Sequence, residues 1–224
     1  MNRLLFLIIT FAAMSTAMAQ QREFVVYYDG ARYTFDAEKV DSMKFVKQSE
    51  LEFGGYKCVD LGLSVMWATH NLGTTNPTEA GEYFDWTPNI PFGDYDSYDD
   101  GWRMPTSEEF KELCEKCAWW WQPAGNERYN GVAGYEIEGV NGNIIFMPAA
   151  GYYNTASGQL INANPTGYYW SSDENTTIKT KAYNLRFNGS DIVNVETMKT
   201  MLFTIRPVYA PEQPEEEEEG ETNQ

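Results

Sequence analysis

Residues 104–117 carry the one complete set of helix signals in the chain, and the remaining segments must fold around the helix they make. Thr106 stands where an N-cap belongs, and Glu109 follows three residues later, the spacing of a capping box. Pro105 keeps the approach extended. Apolar residues then fall at Phe110, Leu113, Cys114 and Cys117, the i, i+3, i+4, i+7 stripe of a buried helix face. Glu108, Lys111, Glu112, Glu115 and Lys116 take the opposite face. There Lys111/Glu115 and Glu112/Lys116 stand four apart, and Glu112 is expected to project freely into water. The pattern predicts one amphipathic helix of about three turns.

Strand and turn signals fill the rest. Residues 24–28 and 32–35 flank Asp29-Gly30, a two-residue hairpin turn, and 40–46 offers a third strand. A piece this small buries no core of its own, and 48–55 reads as linker. Strands are expected at 56–61, 65–69 and 82–86, with loop at 87–100. Beyond the helix, 118–122 is extended, and 134–138 alternates, turns at Asn141-Gly142 and returns through 144–147. Further strands are expected at 167–172, 181–187 and 192–195, and 202–208 closes the set. One principal helix among mostly antiparallel strands gives an α+β expectation. The domain is placed at 51–210, after a β-hairpin appendage and linker at 20–50. From Pro211 onward Pro and Glu dominate, so 211–224 is expected to be a disordered acidic tail.

With 224 residues, 42% of them hydrophobic and 15% aromatic, the chain can bury one good core. Its formal net charge of −17 disfavours nucleic acid, which needs a basic field, and an anionic membrane surface. Residues 1–19 read as a signal peptide: Arg3, a short apolar run at 4–14, and the cleavage signal Ala17-Met18-Ala19. The mature protein is then exported, to the periplasm, the cell surface or the medium. No later apolar run approaches the roughly 18 residues of a transmembrane helix.

Few residues suggest chemistry. Cys58, Cys114 and Cys117 are the only cysteines. Redox Cys-x-x-Cys pairs sit at helix N-termini, whereas 114 and 117 end a helix. Core cysteines, or one disulfide involving Cys58, are favoured over a redox pair. His70 is the only histidine, and no Gly-x-Ser-x-Gly turn accompanies it, so a structural role is expected. With no catalytic constellation, the chain is not expected to be an enzyme. Asp94, Asp96, Asp99 and Asp100 crowd one loop. Their spacing fails the EF-hand pattern, so a solvated loop is favoured over calcium, the one cofactor they suggest. Within Trp119-Trp120-Trp121 the outer two share one strand face and Trp120 takes the other. Core is favoured for most of these rings, leaving Trp120 and Tyr153 as candidate exposed stacking residues.

Several stretches together resemble one family. They are Val59-Asp60-Leu61-Gly62-Leu63-Ser64-Val65-Met66-Trp67-Ala68-Thr69, Gly81-Glu82-Tyr83-Phe84-Asp85-Trp86 and Gly101-Trp102-Arg103-Met104-Pro105-Thr106. The run from Gly142 through Pro148-Ala149-Ala150-Gly151-Tyr152, then Gly167-Tyr168-Tyr169-Trp170-Ser171-Ser172 and Ile205-Arg206-Pro207-Val208, complete the set. In this order, over roughly residues 56–208, they resemble the Fibrobacter succinogenes major paralogous domain of exported Bacteroidetes proteins. The resemblance implies a C-type-lectin-like fold related to the formylglycine-generating enzymes.

It also implies a binding face built from the later strands. There Asp173, Glu174, Asn175, Asn188, Asp191 and Asn194 lie at strand ends, set against the plain turn chemistry of Asn and Asp. This chain departs from the family in carrying His70 where relatives carry a Cys, which leaves Cys117 without that partner. It also lacks the C-terminal catalytic cysteines of the formylglycine-generating branch and the calcium-holding triplets of sugar-binding lectins. The expected function is a non-catalytic exported binding module for a glycan or an envelope or host protein. The alternatives are an envelope assembly subunit using the N-terminal hairpin, or an enzyme related to formylglycine-generating oxidases.

Overall fold

The computed structural model describes residues 23–28, 31–36, 50–53, 55–88 and 101–210. The segments read as signal peptide, as the Asp29-Gly30 turn, as a third strand at 40–46, as an acidic loop and as a tail at 211–224 lie outside the described residues. The chain divides into two compact units, Met1–Val46 and Lys47–Gln224. In the first, β1 (Glu23–Tyr28) pairs antiparallel with β2 (Ala31–Asp36), with Tyr28 opposite Ala31.

The second unit is built from small antiparallel sheets. The largest orders its strands β3 (Glu50–Phe53), β4 (Tyr56–Val59), β5 (Met66–Ala68), β15 (Val208–Tyr209) and β6 (Trp102–Arg103). Helix α1 (Ser107–Lys116) leads into a sheet of β7 (Ala118–Gln122), β8 (Gly134–Glu138) and β9 (Ile144–Pro148). A short hairpin, β10 (Tyr152–Asn154) with β11 (Gln159–Ile161), precedes the last sheet. That sheet runs β12 (Thr166–Glu174), β13 (Lys181–Asn188) and β14 (Asp191–Met198).

The α+β expectation is corrected: this is a β-rich fold in which α1 is the only α-helix among the described residues. The reason lies in the packing. Three buried apolar clusters form the core, and α1 supplies Phe110 and Leu113 to one of them. A second gathers Leu72, Trp86, Met104, Trp170, Phe203 and Ile205, and a third Tyr56, Cys58, Trp102 and Tyr209, with no helical residue in either. The helix start reads as expected, with both halves of the Thr106–Glu109 capping box formed. Arg103 grips Glu109 from outside, with Nη1 2.8 Å from Oε2.

Other segments differ locally from expectation. Residues 50–53, read as linker, are the edge strand β3, because Leu51 falls opposite Cys58 in register. The closing run at 202–208 is no continuous strand. Leu202, Phe203 and Thr204 bridge to three separate partners, Tyr153, Phe84 and Tyr169, and only Val208 and Tyr209 enter a sheet. At Glu112 the outer face of α1 is not free. Its Oε2 accepts from Ser64 N at 3.1 Å and from Ser64 Oγ at 2.5 Å, while Oε1 accepts from Lys116 at 2.8 Å. The bend between β4 and β5 is thereby tied to the helix. Lys111 pairs with Glu108 rather than with Glu115.

Candidate functional site

The sheet β7–β8–β9 presents one face to the core, while the other is covered over Phe146 by Tyr129 and opens to solvent at Trp120. On the inner face Trp119 and Trp121 meet Tyr135 edge-on, with ring centroids 5.2 and 5.1 Å away. Strand alternation then turns Trp120 outward, and it is 56% exposed. Directly across from Trp120 lies Glu136, and across from Glu136 lies Phe146. Directly opposed residues hold their Cβ atoms about 5 Å apart, so Trp120 and Glu136 share one patch.

A 3-10 turn at Glu127–Tyr129 completes the patch from the side. Asn126 caps it, its Oδ1 accepting from Arg128 N at 3.0 Å, and Asn126 Nδ2 donates to Gln122 Oε1 at 2.8 Å, fastening the turn to β7. Tyr129 stacks flat on Phe146, with centroids 3.9 Å apart and planes 7° from parallel. Gly134 leaves room for that ring, since a Cβ there would lie 2.7 Å from Phe146 Cζ. The Tyr129 hydroxyl donates to Glu136 Oε2. Arg128 Nη1 lies 2.8 Å from the same oxygen, and its guanidinium sits 5.3 Å from the Tyr129 ring centre. Burial, and then the hydrogen bond to Glu136, push the Tyr129 phenol well above its ordinary range, so it stays protonated at neutral pH.

Three kinds of chemistry therefore meet on this face. The indole of Trp120 offers an open apolar plane. Glu136 Oε1 has no partner among the described residues, since both contacts fall on Oε2. Arg128 is 63% exposed at its side chain, and its Nε and Nη2 donors are likewise unspent among the described residues. A flat apolar surface with an adjacent acceptor and donor holds ligands that are part hydrocarbon and part hydroxyl. Arg128, Tyr129 and Glu136 escaped sequence reasoning. The only available signal was Glu136, a charged residue on the same alternation face as a neighbouring strand's exposed Trp.

The remaining sequence candidates do not join this patch. Tyr153 is half-buried, edge-on to Tyr83 at 4.9 Å and opposite the exposed Leu160. Asp173 Oδ2 accepts from Ser107 N at 2.6 Å, at the start of α1. Glu174 is clamped by Lys179 and Lys199 at 2.8 and 2.9 Å. Those two lysines hold its carboxyl down to about 2. Asn175 is buried and closes its own turn, accepting from Thr177 N and Ile178 N. Asn188 likewise closes the β13–β14 hairpin by accepting from Ser190 N, and Asp191 faces Arg186 at 3.5 Å. Asn194 Nδ2 reaches Ser107 O at 3.4 Å. Turn and cap chemistry thus accounts for most of this group.

His70 is buried against Tyr56, with ring centroids 4.1 Å apart, and its Nδ1 lies 3.3 Å from Asn71 O. Of the two alternatives for the cysteines, the structure has Cys58, Cys114 and Cys117 all free. Cys58 is enclosed in the third apolar cluster, whereas Cys114 and Cys117 pack against the first. Burial pushes Cys58 and Cys117 up to about 11 and Cys114 up to about 12. Asp94, Asp96, Asp99 and Asp100 lie outside the described residues, among which no three His, Cys, Asp or Glu side chains converge on a metal position. A shallow depression over α1 is lined by Ser64, Glu108, Lys111, Glu112 and Lys116, which pair among themselves.

Comparison with known families places residues 115–208 as similar to a domain of unknown function, DUF8237. That span runs from the last turn of α1 to β15 and contains the whole Trp120 patch. Neither the curated proteins nor the solved structures contain a match.

Proposed function

We propose that this chain is a non-catalytic binding module, exported to the cell envelope or beyond, that holds a glycan on the open face of β7–β8–β9. The observation that carries the reading is Trp120, a large ring left 56% exposed in the centre of a rigid strand. Isolated exposed apolar residues are ordinary, but this one adjoins an unspent carboxylate oxygen and an unspent guanidinium. Export is supported by the targeting pattern at 1–19, and no helix among the described residues is long and apolar enough to cross a membrane. The three thiols, all pushed well above neutral pH by burial, weigh against the thiol-dependent enzyme alternative.

The test is a glycan array probed with the mature chain and with Trp120→Ala. Binding by the former and its loss in the latter, at unchanged melting temperature, supports the reading; no binding to any spot, or equal binding by both, refutes it. The division of the chain at Val46/Lys47 favours keeping the assembly-subunit reading as second. Size-exclusion of the mature chain with and without residues 20–50 decides that one: it falls if association is unchanged.

A further inference from the structure

We infer that the Trp120 patch reads a neutral saccharide through a pair of adjacent hydroxyls, one donating to Glu136 Oε1 and the other accepting from Arg128. This rests on the glycan reading above and adds the chemistry of the ligand. Glu136 Oε2 is fully occupied, receiving the Tyr129 hydroxyl and lying 2.8 Å from Arg128 Nη1. Those two contacts leave Oε1 as the oxygen without a partner among the described residues, on a side chain that is 12% exposed. An ionised carboxylate only accepts, so its partner must be a hydroxyl or amine donor. A guanidinium only donates, and one ion pair leaves most of its five N–H groups unspent, so its partner must be an acceptor oxygen. Adjacent hydroxyls of a sugar ring supply a donor and an acceptor side by side. The apolar C–H face of that ring would then lie on the indole of Trp120, opposite Glu136 in register.

An acidic saccharide fits less well. Its carboxylate would meet Glu136 and also Glu138, two residues along on the same face of β8, within a chain of net charge −17. Arg128 is the residue that separates acceptor from donor, and it is held by its own turn rather than by the core. Its side chain is 63% exposed, so Arg128→Ala removes little packing, though it leaves the 12% exposed Glu136 with the Tyr129 hydroxyl alone.

The experiment measures binding of the mature chain to immobilised neutral hexose-terminated oligosaccharides, to the same oligosaccharides ending in a uronic acid, and to deoxy forms lacking one of two adjacent terminal hydroxyls. Neutral sugars should bind. The uronic and deoxy forms should each bind about tenfold more weakly or worse, the scale of one charge-assisted hydrogen bond. Glu136→Gln and Arg128→Ala should each weaken neutral-sugar binding by a similar factor, at melting temperatures that show both variants folded. Uronic sugars binding more tightly than neutral ones, or full binding by Arg128→Ala and by the deoxy forms while Trp120→Ala loses it, overturns the two-hydroxyl reading and leaves the glycan reading standing. If no sugar of any set binds, the glycan reading itself fails.

Discussion

Arg206 Nε donates to Asn71 Oδ1 at 2.9 Å, joining two side chains 135 residues apart in a space that neither shares with solvent. The rest of the guanidinium is used on backbone, with Nη1 on Ala68 O at 2.9 Å and Nη2 on Phe146 O at 2.8 Å. Asn71 Nδ2 in turn donates to Ala80 O at 2.9 Å. One cation thereby binds the end of β5, the middle of β9 and the loop after Ala68, with polar acceptors in place of a carboxylate. Replacing Arg206 with Ala strands these buried acceptors and should cost at least about 3 kcal/mol. Lys cannot span three divergent acceptors and should recover little of it. Urea unfolding of both variants is the measurement; a loss below about 1 kcal/mol for Arg206→Ala means the acceptors find water.

The helix predicts a ranked series. Leu113→Ala removes a fully buried side chain and should cost about 2–5 kcal/mol. Thr106→Ala removes the cap and one half of its box and should cost about 1 kcal/mol. Glu112→Ala should cost about 1–2 kcal/mol, because it frees both Ser64 groups from the helix. Lys111→Ala, paired only across the exposed surface, should stay within about 0.5 kcal/mol. Thermal melts at one pH rank the four, and a silent Glu112→Ala would mean the β4–β5 bend is held without it.

His70 should make stability fall on acidification. Burial first, and then the nearby charges of Arg206 and Lys57, bring its pKa down from 6.5 to about 4, against the opposing hydrogen bond to Asn71 O. The unfolded chain therefore binds the proton more readily between those values, and stability is full above pH 6.5 and lost as pH falls toward 4. The shift corresponds to about 3 kcal/mol. Many carboxylates titrate nearby, so the readout is the difference between wild type and His70→Gln in urea unfolding across that window. A difference that does not change with pH contradicts the assignment.

The thiols should stay reduced and slow. Intact-mass measurement of the air-exposed protein should show three free thiols, and alkylation at pH 8 should label them only after unfolding, given values of about 11 to 12. A mass lower by one pair of hydrogens would reveal a disulfide.

What could be read from the sequence was local. Thr106 and Glu109 make their box within one turn of each other, and Trp119, Trp120 and Trp121 sort themselves by alternation alone. The hairpin of β8 and β9 needed only its own residues. What could not be read was set by distant partners. Glu50–Phe53 has mostly exposed side chains and becomes a strand only because β4 is there to pair with it. Residues 202–204 looked like one strand, yet each bridges a different neighbour. Glu112 looked solvated until Ser64, 48 residues earlier, was brought to it. The candidate site divides the same way: Trp120 is visible from its strand, whereas Arg128 and Tyr129 arrive from a turn whose position no spacing rule gives.

The seat of β15 sets a clock on synthesis. Val208 and Tyr209 pair with Trp67 and Met66 on one side and with Arg103 and Trp102 on the other, so the strand that joins β5 to β6 in the largest sheet comes from its latest segment. A ribosome has already released residues 66 and 102 long before residue 208 exists. Until then β5 and β6 have no neighbour to join them, and Ala68 O lacks the Arg206 that closes over it. Folding of this sheet is consequently a late event, after translation of the domain is essentially complete. A nascent chain halted before residue 205 should remain protease-sensitive throughout 56–104, however long it is given to settle.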